Sequence, residues 1–246
     1  MQHYTRVIRQ VLGLAIFCLT LSACGGADDG APDYRYRLTV EVDTPEGLKT
    51  GSSVIEVEQR LVRPGSNPAG AAVERRVRGE AVVVELPDGH TLFALLRSDN
   101  NVEWASNVMQ TLAPRTKGEN FEQQLDNMLA LEGEKVLPRM FPPTGHLGER
   151  SAYPVLVTFG NIDDPTSVDL IDPENLAATF GEGVSLRRIT VQITKEPVTV
   201  GIGQRLGWLS EYPEPRLDPD YRGSINPNLS QRLWHGDFRR ARPNEP

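Results

Sequence analysis

From Tyr34 to Asp43 the sequence alternates strictly, with Tyr34, Tyr36, Leu38, Val40 and Val42 interleaved with Arg35, Arg37, Thr39, Glu41 and Asp43. Successive side chains of a strand point to opposite faces, so this stretch has one apolar and one polar face, which a helix would scatter. It predicts a half-buried strand, and such a strand needs a sheet and a core around it. Pro45 and Gly47 mark a turn over 44–51. Beyond it Ile55, Val57, Gln59 and Leu61 line one face of a second strand, expected to be the antiparallel partner of the first.

The remaining pattern mixes strand and helix. Residues 63–68, with Pro64, Gly65 and Pro68, predict a loop. The run Ala81-Val82-Val83-Val84 within 71–86 predicts a strand with both faces partly covered. Pro87-Asp88-Gly89 is a tight turn into a strand over 91–96. Val102, Ala105, Val108, Met109 and Leu112 fit a helical stripe ending before Pro114, with a strand over 102–109 as the alternative. Phe121, Leu125, Met128 and Leu129 give a second helix, stopped at Gly133.

Residues 138–153 hold prolines and glycines and predict a long loop, and Pro154–Phe159 an apolar, central strand. Asp172-Pro173-Glu174 reads as a capped helix start, with Leu176 and Phe180 on its apolar face and Gly181 at its end. Leu186, Ile189, Val191 and Ile193 predict another strand. Residues 206–246 are irregular and proline-rich, with Trp208 and Trp234 as hydrophobic pins and Arg239-Arg240-Ala241-Arg242 as a frayed tail. The expectation is an α+β globular domain over 34–205, predominantly antiparallel sheet with two or three short helices, followed by that C-terminal segment.

Both cysteines lie near the start: Cys18 inside an apolar run and Cys24 just after it. Residues 25–246 are cysteine-free, which excludes a disulfide, a zinc–thiolate cluster or a cysteine nucleophile there. The formal charge is −7, and residues 1–23 hold Arg6, Arg9 and no acid, so the remainder carries −9. That balance repels phosphates, and nucleic acid and anionic lipid headgroups are not expected partners.

Residues 1–10 carry the two arginines, 11–21 (VLGLAIFCLTL) form an apolar run, and small residues Ser22 and Ala23 precede Cys24. This is the order of a secretory signal. Eleven residues of helix reach roughly 16 Å, about half the hydrocarbon core of a bilayer, so a cleaved signal over 1–23 is expected rather than a span. Leu21-Ser22-Ala23-Cys24 resembles the lipobox of bacterial lipoproteins. The resemblance implies cleavage before Cys24, a diacylglyceryl group on its thiol and acylation of the new amino terminus. Gly25 rather than aspartate after the cysteine implies an outer-membrane anchor facing the periplasm in a diderm bacterium. Two or more chains make attachment lasting where one does not. Residues 25–33 (GGADDGAPD) bury no apolar area and complete a tether over 24–33.

Chemistry is sparse. The chain contains no G-x-S-x-G, S-x-x-K, H-E-x-x-H, Walker A or G-x-G-x-x-G motif. Gly201-Ile202-Gly203 reads as a turn. Of the histidines beyond the signal, His90, His146 and His235, none is paired at i+2 or i+4 to form a metal clip. His90 belongs to a turn, and His235 packs or points to solvent. His146 lies in the long loop and is the first to test. Asp163, Asp164, Asp169 and Asp172 supply oxygens suited to calcium but not in EF-hand spacing, and turn formation and capping account for half of them. No catalytic or metal residue and no cofactor is assigned. Lipidation of Cys24 is the one site expected. The expected role is a non-enzymatic, membrane-tethered binding or assembly protein of the envelope with another envelope protein as partner. The alternative is a lipid-anchored hydrolase using His146 with the acids near 163–172.

Overall fold

The computed structural model describes residues 31–62, 72–144, 148–210 and 212–241. The alternation at the start becomes β1 (Tyr34–Thr44), whose apolar residues are buried. It pairs antiparallel with β2 (Gly47–Val62), from Tyr34 opposite Val57 to Thr44 opposite Gly47. The turn is tighter than the expected 44–51. The Thr44 hydroxyl donates to the Gly47 carbonyl at 2.8 Å and accepts from the Glu46 N–H, which closes the chain around Pro45 and Glu46. Gly51-Ser52-Ser53, turn-like in composition, lies inside β2.

β3 (Ala72–Glu80) pairs antiparallel with β2, and after Ala81 the chain continues as β4 (Val82–Glu85) in a different sheet. Where β3 leaves, Thr199 takes its place. Its hydroxyl accepts the Val54 N–H at 2.8 Å, and its own N–H donates to the Val54 carbonyl at 3.1 Å. No backbone group of Val54 is left unpaired in the interior.

β4 turns through Pro87–Gly89 into β5 (Thr91–Ala94), which leads to α1 (Trp104–Leu112). There follow β6 (Lys135–Val136), β7 (Met140–Phe141), β8 (Arg150–Ser151), β9 (Leu156–Phe159), β10 (Val168–Ile171), α2 (Ala177–Phe180), β11 (Ser185–Thr194), α3 (Ile202–Arg205), α4 (Leu229–Arg232) and β12 (Arg239–Arg240). One sheet has the order β12-β3-β2-β1-β11-β6 and a second the order β10-β9-β5-β4. Every pairing between named strands among the described residues is antiparallel, so the fold is α+β as expected.

Three layers result. The inner face of the larger sheet (Tyr36, Leu38, Val40, Ile55, Val191) and α1 (Trp104, Val108, Met109) enclose one core with Val82, Val84, Leu92 and Leu156. The opposite face of the smaller sheet, with Phe93, Val157 and Val168, is covered by Leu206, Leu209, Leu217, Leu233 and Phe238. The four residues of β5 are buried because both faces are covered. Residues 206–241 are irregular, as expected, yet they form this third layer. Arg239 and Arg240 are not frayed. They pair with Glu80 and Gly79 of β3 as β12.

Other expectations shift. The 102–112 stripe is α1, starting at Trp104, while Val102 stays exposed. The stripe at 121–129 is not an α-helix but two 3-10 turns, Glu122–Gln124 and Asn127–Ala130. Leu125 and Met128 are buried, whereas Phe121 and Leu129 are exposed. Buried positions three apart suit the three-residue turn of a 3-10 helix, and α geometry would have brought Phe121 in beneath Leu125. Asp172 forms a local turn by accepting the Glu174 N–H at 2.9 Å, and the helix starts later, as the single turn α2. The 138–153 loop is closed on itself by the β7–β8 pairing. Gly201-Ile202-Gly203, expected as a turn, instead opens the one-turn helix α3, with Gly201 just before its first residue.

Candidate functional site

Cys24 and His146 lie outside the described residues. The four acids do not form a centre. Asp164 accepts the Thr166 N–H at 2.9 Å and Asp172 that of Glu174, while Asp163 and Asp169 are exposed. Among the described residues no group of three or more His, Cys, Asp or Glu is placed to hold a metal ion. His90 is exposed, its ring edge-on to Phe180. His235 is buried. Its Nδ1 accepts the Ser210 N–H at 2.8 Å, and burial, with the Arg239 charge nearby, holds its pKa below the ordinary histidine value.

The end of the expected tether is fixed. Ala31 is buried against Leu61 and Leu125, the Pro32 carbonyl accepts from Gln59 Nε2 at 2.8 Å, and Asp33 Oδ1 accepts the Gln59 N–H at 2.7 Å. Cys24 is thus seven residues from a docked position, and a fully extended chain of that length reaches roughly 24 Å.

Beside this docking point runs the outer edge of β3. β12 pairs with it only at Gly79 and Glu80, and the Ala81 N–H donates to the Phe238 carbonyl at 2.8 Å. Backbone polar groups alternate sides along a strand, so those of Val73, Arg75 and Val77 face the same way as the Ala81 N–H. No strand lies beside them among the described residues. A cleft of about 550 Å³ follows the edge, bounded by Arg75, Arg76, Val77, Val102, Pro213 and Trp234. A second of about 480 Å³ lies among Asp33, Arg60, Glu74 and Arg76, and a third of about 660 Å³ beside Arg78, Glu80, Val200 and Arg239.

The charges along the edge are largely committed. Glu56 is buried and takes Arg35 on one oxygen at 2.7 Å and Arg78 on the other at 2.8 Å. Burial alone would raise its pKa, but these two guanidiniums bring it below the ordinary carboxylate value. Arg75 points inward, donating to Gln59 Oε1 at 2.9 Å and Asn107 Oδ1 at 3.3 Å, and burial lowers its pKa. Arg240 donates to the Gly236 and Val102 carbonyls and pairs with Glu103. Arg76 differs: it is exposed, and its guanidinium has no partner among the described residues.

This edge was not anticipated from sequence. A signal exists in Glu74-Arg75-Arg76-Val77-Arg78, which puts charge on both faces of one strand, and an inward charge is a device of edge strands. Chemically the edge offers backbone donors and acceptors, a cation uncommitted among the described residues and an apolar rim, which suits binding of an extended chain. No family model, no curated protein and no solved structure matches the chain.

Proposed function

We propose that the protein is a lipid-anchored, non-enzymatic lipoprotein of the cell envelope. In this reading it is cleaved before Cys24, acylated there, and holds a binding or assembly domain at the periplasmic face of the outer membrane. The observation that carries this is the short distance in sequence between Cys24 and the docked Ala31, with the open β3 edge beginning beside Asp33. An acylated Cys24 would keep that edge within a few nanometres of the bilayer, where an envelope partner meets it. The preceding basic, apolar and small-residue segments in register with Leu21-Ser22-Ala23-Cys24 supply the processing signal.

The test is metabolic labelling of the native host with a clickable fatty-acid analogue. The wild-type chain is expected to take up label and to fractionate with outer membranes, and Cys24→Ser to do neither. A Cys24→Ser protein that labels like wild type, or a native protein that keeps residues 1–23, overturns the proposal.

A further inference from the structure

We infer that the open edge of β3 takes up an extended, acidic polypeptide segment of an envelope partner as an added antiparallel strand, an inference that rests on the binding role proposed above. Val73, Arg75 and Val77 present three N–H and three carbonyl groups outward on the side where β12 stops. An antiparallel strand in line with β12 exchanges two hydrogen bonds with each of these residues. Main-chain bonds of this kind supply affinity and alternate side chains supply selectivity.

Charge decides which segment fits. On the outer face of β3 lie Glu74, Arg76 and Arg78, and Arg78 is already engaged by Glu56. Arg76 is the cation left open on this face among the described residues, and a residue directly opposite it in a new strand would have its Cβ about 5 Å away. An Asp or Glu there completes a cross-strand ion pair. Residues opposite Arg75 and Val77 point the other way, toward the rim that Val102 and the partly exposed Trp234 provide, and apolar side chains suit them. The preferred segment is therefore extended, with an acid flanked by apolar residues.

A second copy of the chain fits less well. With Val73, Arg75 and Val77 facing outward, β3 can pair antiparallel with itself about residue 74, 75 or 76. Each register sets a like pair directly opposite: Glu74 on Glu74, Arg75 on Arg75 or Arg76 on Arg76. Like charges opposite each other are destabilising. The same arginines that deter indiscriminate edge pairing thus select an acidic strand.

The test uses the purified full-length chain in detergent and a short fluorescent peptide with a single glutamate flanked by valines and closed by threonines (threonine-valine-glutamate-valine-threonine), so that no acid falls opposite Glu74, read by anisotropy. The glutamate peptide is expected to bind, and its lysine counterpart to bind more weakly. The glutamate opposite Arg76 turns its N–H away from β3, whereas the valines turn theirs toward it. N-methylation at valine is therefore expected to abolish binding, and at glutamate to leave it. Arg76→Glu, at an exposed side chain without a partner among the described residues, is expected to weaken the glutamate peptide about fivefold and to favour the lysine one. Hydrogen exchange is expected to slow at Val73, Arg75 and Val77. No binding, equal binding of both peptides, tolerance of N-methylvaline, or self-association that blocks the edge overturns the inference. Because the assay does not depend on acylation, its failure leaves the Cys24 labelling result standing, and the reverse.

Discussion

Gly51 of β2 lies against the backbone of Val83 in β4 so closely that a Cβ on Gly51 would stand 2.0 Å from the Val83 carbonyl oxygen. The two sheets meet there, and only a residue without a side chain permits the contact. Gly51→Ala is expected to force the sheets apart and to cost about 3 kcal/mol or more. Urea unfolding measures this. Gly148→Ala, at an exposed position with open space around it, serves as the control and is expected to stay within about 0.5 kcal/mol. Equal midpoints for the two variants would show that the sheets do not meet at Gly51.

Phe238 joins the irregular third layer to the smaller sheet. Its ring is fully buried with Phe93, Phe159 and Trp208 around it, and its carbonyl accepts the Ala81 N–H. Phe238→Ala is expected to lose about 3–5 kcal/mol, since the surrounding aromatic rings cannot collapse fully into the space. Removing residues 206–246 altogether bares Phe93, Leu95 and Val157, and the truncated chain is expected to aggregate or to bind a hydrophobic dye. A soluble truncation with unchanged far-UV and near-UV circular dichroism contradicts the layered arrangement.

What was legible in the sequence was what depends on local period. Tyr34–Val42 declared its strand, and the apolar run ending at Phe159 declared an interior one, because burial on both faces removes alternation. The break of phase between Leu186 and Ile189 was present too. It marks a bulge, in which Glu41 faces Arg188 and Val42 faces Leu186, leaving Arg187 as the extra residue, free to pair with Asp43 at 2.7 Å. Residues 121–129 misled because the spacing of Leu125 and Met128 serves a 3-10 turn as well as an α-helix. The third layer and the β3 edge were not legible. The layer's apolar residues follow no period, and an edge is defined by which strand is missing beside it, a property of topology alone.

Glu56 joins β1, β2 and β3 through Arg35 and Arg78. Its pKa is held below the ordinary carboxylate value, so the folded chain resists protonation that the unfolded chain accepts. The stability it contributes is present above the ordinary carboxylate range and is lost as pH falls through the lowered folded value. Glu56→Gln is expected to lose about 1–2 kcal/mol at neutral pH, because two partly exposed arginines lose the carboxylate they share. The variant's deficit is expected to shrink as the pH falls below the ordinary carboxylate range and through the lowered folded value, where the wild type protonates the same group. A deficit that stays constant from neutral to acid pH contradicts this role.

His235 gives the opposite kind of group the same sign. Its Nδ1 accepts the Ser210 N–H, its ring lies edge-on to Trp208 at 5.4 Å, and Arg239 lies near enough to oppose a second positive charge. A proton on Nδ1 would set two donors face to face in a buried site. The folded pKa is accordingly below the ordinary value, first through burial and then through Arg239. As pH falls through the ordinary histidine range, unfolded chains take up a proton that folded chains refuse, and stability declines until the folded group protonates as well. His235→Asn keeps an oxygen able to accept from Ser210 but does not titrate. It is expected to lose about 1 kcal/mol at pH 8 and to flatten the decline between about pH 7 and pH 5. The other histidines of the chain are present in both proteins and drop out of the difference. Chemical denaturation across that range decides the matter, and an undiminished slope in His235→Asn would mean that another group carries the acid sensitivity.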